Sequence, residues 1–308
     1  MPAETIINLI IKIFLMIAFG YFLKKRQVIT PDLQKGLTNL LLKAILPVSV
    51  LSSSNAEFTP AASQNMLYAA AIDGGYYIAA LIAMTLLSKI LPLKKGARNI
   101  FVTMTVFANT AFIGFPLVTE LYGEKALIYA VIYNIFYQLI FFTYGISILS
   151  GNMKFQFKAI YLNPVTIASF LSIAVFLSPF RFPAAIASTF STVGGMTVPI
   201  SMLIIGCSLA DIKILQIMRD FYSYLVSALR LIIFPVCLMI VLKIMKIPFE
   251  VAAVCVIMTA LPSGSLNAIY AEQYQCEPEY ATRTVVQTMA FMIVSIPTII
   301  VLINHFLL

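Results

Sequence analysis

Ten apolar stretches follow one another along the chain, at roughly 6–23, 32–52, 66–91, 100–120, 126–149, 160–178, 186–209, 221–243, 250–272 and 283–307. Each is close to the about 20 residues a helix needs to cross the hydrocarbon core of a bilayer. The connectors carry the breakers: Thr30-Pro31, Thr59-Pro60, Pro92, Asn163-Pro164, Pro179, Pro183, Pro248 and Pro278. A backbone in lipid must satisfy its own polar groups, so a chain of this kind folds as helices. Only 10% of the residues are charged and the mean hydropathy is +0.98, whereas a soluble domain carries about 25% charge. The pattern predicts an all-α integral membrane protein with ten transmembrane helices and no room for a soluble domain.

A net charge of +8 raises the question of nucleic acid, but the distribution of charge answers it. Lys and Arg fall in short clusters between apolar segments, as orientation signals do. With the N-terminus outside, the inner loops hold Lys24, Lys25, Arg26, Lys35, Lys89, Lys94, Lys95, Arg98, Lys154, Lys158, Lys213, Arg219 and Arg283. The outer loops hold only Lys125, Arg181, Lys243 and Lys246. The positive-inside rule therefore places both termini on the extracytoplasmic side of a multi-pass plasma-membrane protein. The cluster Lys24, Lys25, Arg26 follows the first segment instead of preceding it, so that segment reads as a span and not as a signal peptide. Cys207, Cys237, Cys255 and Cys276 have spacings that fit neither a disulfide framework nor a zinc site.

The two halves, 1–150 and 151–308, resemble each other at an offset of 152 residues. "ILPVSVL" (45–51) aligns with "TVPISML" (197–203), matching Pro47 to Pro199 and Ser49 to Ser201. Tyr122 meets Tyr274 at the same offset. Each half holds five segments, and an odd number means that the second half enters the membrane upside down. Such an inverted repeat is the layout of many secondary transporters.

At that offset "ANTAFIGFP" (108–116) falls on "ALPSGSLNA" (260–268). Both are polar interruptions of an apolar helix. Pro116 and Pro262 lack an N–H and crowd the carbonyls of Phe112 and Met258. Backbone groups freed at membrane depth are tolerated only against protein or a polar cavity. Paired broken helices at corresponding positions are the best sequence pointer to a transport site, and their half-helix N-termini favour an anion. The candidate substrate-binding residues are Asn109, Thr110, Gly114 and Pro116 on the fourth segment and Pro262, Ser263, Ser265 and Asn267 on the ninth.

These two motifs, "NTAFIGFP" (109–116) and "PSGSLN" (262–267), resemble those of the auxin efflux carrier family, whose fourth and ninth helices carry such segments. Ala111 stands where the family pattern has glycine. Length and segment count match as well, so the resemblance covers the whole chain. It implies a fold like that of bile acid/sodium symporters: a scaffold domain from segments one, two, six and seven, and a transport domain from segments three to five and eight to ten. It also implies movement of small organic anions such as malate, malonate or auxin-like acids.

Other polar residues sit within the apolar segments. Asp73 on the third segment is a functional candidate by default, because a carboxylate at membrane depth is costly; it is read either as a coupling residue or as an ion pair with Lys43. Lys12 and Arg230 are long enough to snorkel, with contact to the substrate as the alternative. Asn134 and Gln138 share one face of the fifth segment, flanked by Tyr133 and Tyr137, and line a cavity or bond between helices. Gln287 occupies a similar place on the tenth. Gly194, Gly195 and Gly206 are read as packing positions.

An intramembrane enzyme lacks its parts: His305 is the single histidine, and no Ser-His or metal-ligand constellation exists. No cofactor is expected. The reading is a carrier for a small organic anion in the lipid bilayer, with an anion channel or a membrane-embedded sensor as the alternative. Proton coupling, sodium coupling, uniport, exchange and a homodimeric state are left open.

Overall fold

The computed structural model describes residues 3–55, 59–152, 155–211 and 221–308. Lys154, Lys213 and Arg219 of the charge tally lie outside the described residues. Among the described residues the fold is all-helical, and a single isolated bridge stands in place of any sheet. We label the helices α1 (Ala3–Lys25), α2 (Pro31–Ser53), α3 (Pro60–Ile90), α4 (Lys95–Val106), α5 (Phe115–Tyr122), α6 (Glu124–Ser150), α7 (Pro164–Leu177), α8 (Ala184–Ala210), α9 (Phe221–Ile244), α10 (Phe249–Thr259), α11 (Ser265–Gln273) and α12 (Pro278–Phe306). Seven of these are long and apolar enough to cross a membrane, namely α1, α2, α3, α6, α8, α9 and α12. They fall on the first, second, third, fifth, seventh, eighth and tenth segments of the sequence. The fourth and ninth segments are each broken into two shorter helices, and α7 on the sixth is 14 residues long.

Prolines open several of these helices where their missing N–H costs nothing. Pro31 follows Thr30, whose hydroxyl accepts from Leu33 N–H, and Pro164 follows Asn163, whose carboxamide oxygen accepts from Val165 N–H. Inside the spans the prolines act differently. Wide π turns at Leu41–Ile45, Thr110–Gly114 and Leu229–Ile233 stand directly before Leu46-Pro47, Phe115-Pro116 and Phe234-Pro235. A proline ring clashes with the carbonyl one turn back. Widening the preceding turn displaces that carbonyl, so the helix continues past the proline.

This corrects the expectation at Pro116. The fourth segment does not break there; Pro116 is buried in the first turn of α5, behind its π turn. The chain leaves helical geometry earlier, at Phe107, whose φ of −100° and ψ of 111° are extended.

The chain divides into two compact units: Met1–Met66 with Ala111–Ile132 and Tyr161–Ile212, and Leu67–Thr110 with Tyr133–Ile160 and Lys213–Leu308. Within the first unit α1 packs along α8, and glycines set the distance. A Cβ on Gly20 would strike the Leu203 carbonyl, and one on Gly206 the Ile17 carbonyl. Gly194 lies against the Ser49 backbone, 2.9 Å from where its Cβ would be, whereas nothing lies near Gly195. Small residues at such crossings let helix backbones approach, which drives association where lipid removes the hydrophobic gain. Within the second unit Val251–Thr259 of α10 and Ile100–Val106 of α4 are buried on every side. The large exposed apolar side chains, such as Leu15, Leu67, Ile82 and Val294, are what a lipid solvent requires.

Candidate functional site

The two breaks lie against each other in the second unit. Ala108 and Ser263 form an antiparallel bridge. Asn109 N–H donates to the Pro262 carbonyl at 2.9 Å, and Gly264 N–H to the Phe107 carbonyl at 2.9 Å. Two unwound segments thus satisfy each other as a two-residue sheet, which is how non-helical backbone survives at membrane depth. Gly264 is required by space: a Cβ there would stand 2.7 Å from the Ala108 carbonyl oxygen.

Side chains complete the joint. The fully buried Asn267 donates both amide hydrogens, to the Phe107 and Gly264 carbonyls, each at 3.0 Å. Ser263 Oγ donates to the Met104 carbonyl at 2.8 Å, and its N–H donates to Thr288 Oγ1 at 3.1 Å. These bonds close carbonyls that the end of α4 leaves open. What remains of Asn267 is its Oδ1, buried without a partner. Asn109 is half-buried, with its backbone N–H committed to the joint.

Beside the joint, Thr110 Oγ1 donates to Asn134 Oδ1 at 2.7 Å, and both side chains are buried. The Asn134 Nδ2 has no partner. Gln138 is buried one turn further along α6. Asn109, Thr110, Asn134, Pro262, Ser263 and Asn267 are therefore brought together. Ser265, at the start of α11, is exposed. Gly114 and Pro116 belong to the first unit, where both are buried.

The charged candidates separate in kind. Asp73 is fully buried, and its carboxyl faces the thiol of Cys255 on α10. Lys43 sits in the π turn of α2 with an exposed side chain. The ion pairs among the described residues are Lys12–Glu120 at 2.8 Å and Lys24–Asp211 at 3.4 Å. Lys12 is thus explained as a surface partner of Glu120. Arg230, for which the sequence favoured snorkelling over substrate contact, is fully buried, and its Nη1 donates to the Thr105 carbonyl at 2.6 Å. Its place near the middle of α9, about nine residues or roughly 13 Å from the helix start, was the signal against snorkelling. The stacked tyrosines of α3 were also missed: Tyr77 lies over Phe107 with ring centres 6.1 Å apart.

Seven long apolar helices, and a buried joint of two unwound segments within the second unit, define a multi-pass membrane protein of the transporter type. The chain belongs to the membrane transport protein family, which matches residues 5–159 and 149–300; this is the family of the auxin efflux carriers that its two motifs resemble. It is similar to an uncharacterised transporter of Methanocaldococcus jannaschii, at 21% identity over 94% of this chain and 96% of that protein. It is similar also to an uncharacterised transporter of Methanothermobacter thermautotrophicus, at 25% identity over 61% of this chain and 63% of that protein.

Proposed function

We propose that this transporter is a secondary carrier that moves a small organic anion, a carboxylate of the malate, malonate or auxin-like kind, by alternating access. The observation that carries the reading is the joint of the two breaks. Backbone pairing at 2.9 Å holds unwound chain in the middle of a helical unit, and Asn134 Nδ2 and Asn267 Oδ1 remain there without partners. Buried polar groups left unpaired are costly; a carboxylate recovers that cost at the Asn134 donor, and an O–H or N–H on the ligand recovers it at the Asn267 acceptor.

The ten segments then form two inverted five-helix repeats. A scaffold from the first, second, sixth and seventh segments and a transport domain from the third to fifth and eighth to tenth are supported by the division of the chain into two units, apart from Ala111–Ile132, which falls in the first unit. Asp73 carries a proton or orders the transport domain, and Lys43 draws anions toward the membrane.

Flux into proteoliposomes tests the reading. A carrier shows saturation and counterflow with a labelled carboxylate; linear flux without counterflow identifies a channel, and no flux with ligand-dependent thermal shifts identifies a sensor. Orientation is checked by single cysteines in a background without the native ones. A cysteine at Asn55 reacts with an impermeant reagent from outside and one at Asn152 from inside; the reverse pattern overturns the N-out assignment.

A further inference from the structure

Arg230 holds more than it needs for its structural task. Thr105 loses its helical partner because the N–H four residues on, that of Asn109, bonds to Pro262 instead. Arg230 Nη1 fills that vacancy at 2.6 Å, capping the end of α4. One N–H does this work. The guanidinium has five, and Nε and Nη2 are buried with no partner.

Among the described residues no carboxylate pairs with the charge. The ion pairs among the described residues lie elsewhere, and Asp73 is turned to the Cys255 thiol. Arg230 is the one cation that is fully buried among the described residues. Around it stand hydroxyl groups. The Tyr76 hydroxyl is within reach of the guanidinium, and Tyr133 is close enough to feel its charge. Tyr76, Tyr77 and Tyr133 pack ring against ring, with centres 5.2 to 5.9 Å apart, and none of their hydroxyls makes a well-aligned hydrogen bond. The cluster is a set of hydrogen-bond donors around one positive charge, walled by aromatic rings. It also sits in a π turn, a feature frequent at functional sites.

We infer that Arg230 is the counter-charge for the transported anion: with the Tyr76 and Tyr133 hydroxyls it binds a single carboxylate group, so the substrate is a monoanionic acid with an apolar or aromatic body. One buried cation balances one negative charge. A second carboxylate would find no second fully buried cation among the described residues. The assignment rests on the carrier reading above and narrows it to monocarboxylates.

The test uses the purified full-length protein with three probes: benzoate, its neutral amide benzamide, and malonate. Binding is read by calorimetry at fixed ionic strength, and counterflow in proteoliposomes. Benzoate should bind at least about 10-fold more tightly than malonate or benzamide. Arg230→Gln, which keeps an amide donor for the Thr105 carbonyl, should weaken benzoate by about 100-fold, and Tyr76→Phe and Tyr133→Phe each by about 3- to 10-fold. Unchanged benzoate affinity in folded Arg230→Gln makes Arg230 a helix cap alone and overturns the inference. If that variant does not fold, Arg230→Lys and the Tyr76→Phe/Tyr133→Phe double variant decide, and wild-type affinity in both overturns it. Tighter binding of malonate, or no binding of either acid by the wild type, also overturns it. The two readings part cleanly: counterflow that survives Arg230→Gln unchanged defeats this site and keeps the carrier, whereas Arg230-dependent binding without counterflow keeps the site and defeats the carrier.

Discussion

Two places in the molecule bring backbones unusually close, and they do it for different ends. In the first unit, α1 and α8 meet at Gly20 and Gly206, where an added Cβ on either would strike a carbonyl of the other helix. In the second unit, the Gly264 backbone lies against Ala108, with 2.7 Å between an added Cβ and the Ala108 carbonyl oxygen. Along α1 and α8 the helices keep their own hydrogen bonds, and across them the Cys207 thiol donates to the Gly20 carbonyl at 3.4 Å. At the joint both helices are unwound, and polar atoms of Asn134, Asn267 and Arg230 are left over. Close approach between helices that keep their backbone bonds intact is packing, even where the Thr197 and Ser201 hydroxyls of α8 are buried without a partner. Close approach of unwound segments with unpaired polar groups is a site held ready for something else.

The largest effect expected is at the packed seam. Gly206→Leu forces a branched side chain into the Ile17 backbone, which no rotamer change relieves. The variant should not be recovered as a monodisperse species by size-exclusion chromatography. Recovery at the wild-type level, with unchanged melting temperature, would show that α1 and α8 separate freely.

Asn267→Ala comes next. It removes the amide bond across the joint to the Phe107 carbonyl and the second donor to the Gly264 carbonyl of its own segment; the backbone N–H of residue 267 still serves Gly264. Two lost bonds in a buried setting cost about 2–4 kcal/mol, read as a lower melting temperature in detergent. The sequence assigned this residue to the ligand, but its amide hydrogens are spent on the backbone. If stability is unchanged and only binding suffers, the joint is looser than the geometry implies.

Asn109→Ala should show the converse. The side chain is half-buried, and the joint uses the backbone N–H, which alanine retains. Stability should change little, while carboxylate affinity falls by about 10- to 150-fold, the value of a lost hydrogen bond to a charged ligand, about 1.5–3 kcal/mol. Wild-type affinity in both asparagine variants would reduce the joint to packing.

The sequence made the spans legible because hydropathy over about 20 residues needs no tertiary information. It made the two interruptions legible through Asn, Gly and Pro. It did not place the first one, since Pro116 drew attention from Phe107 and Ala108, which carry no breaker. Their extended backbone is imposed by Pro262 and Gly264 across the joint, and pairing of that kind leaves no mark in the local sequence. Arg230 was hidden for a related reason: an arginine in an apolar stretch reads as snorkelling until the orphaned Thr105 carbonyl that anchors it is known.

The smallest effect sharpens the comparison most. Gly194 and Gly195 are adjacent on α8, and the sequence treats them alike as packing glycines. A Cβ on Gly194 would lie 2.9 Å from the Ser49 Cα, whereas one on Gly195 meets nothing within 4 Å. Neither has a left-handed backbone, so space alone distinguishes them. Gly195→Ala should be neutral or stabilising by up to about 1 kcal/mol, because alanine loses less conformational freedom in a helix. Gly194→Ala carries the same entropic gain against a backbone contact that must shift, so it should be destabilising by about 1–3 kcal/mol. Thermal melts of the two variants side by side measure the contact itself, the helix-propensity term being common to both. Equal melting temperatures would mean that the seam yields by a few tenths of an ångström without cost, and the contrast between a rigid seam and a strained joint would fail at its rigid end.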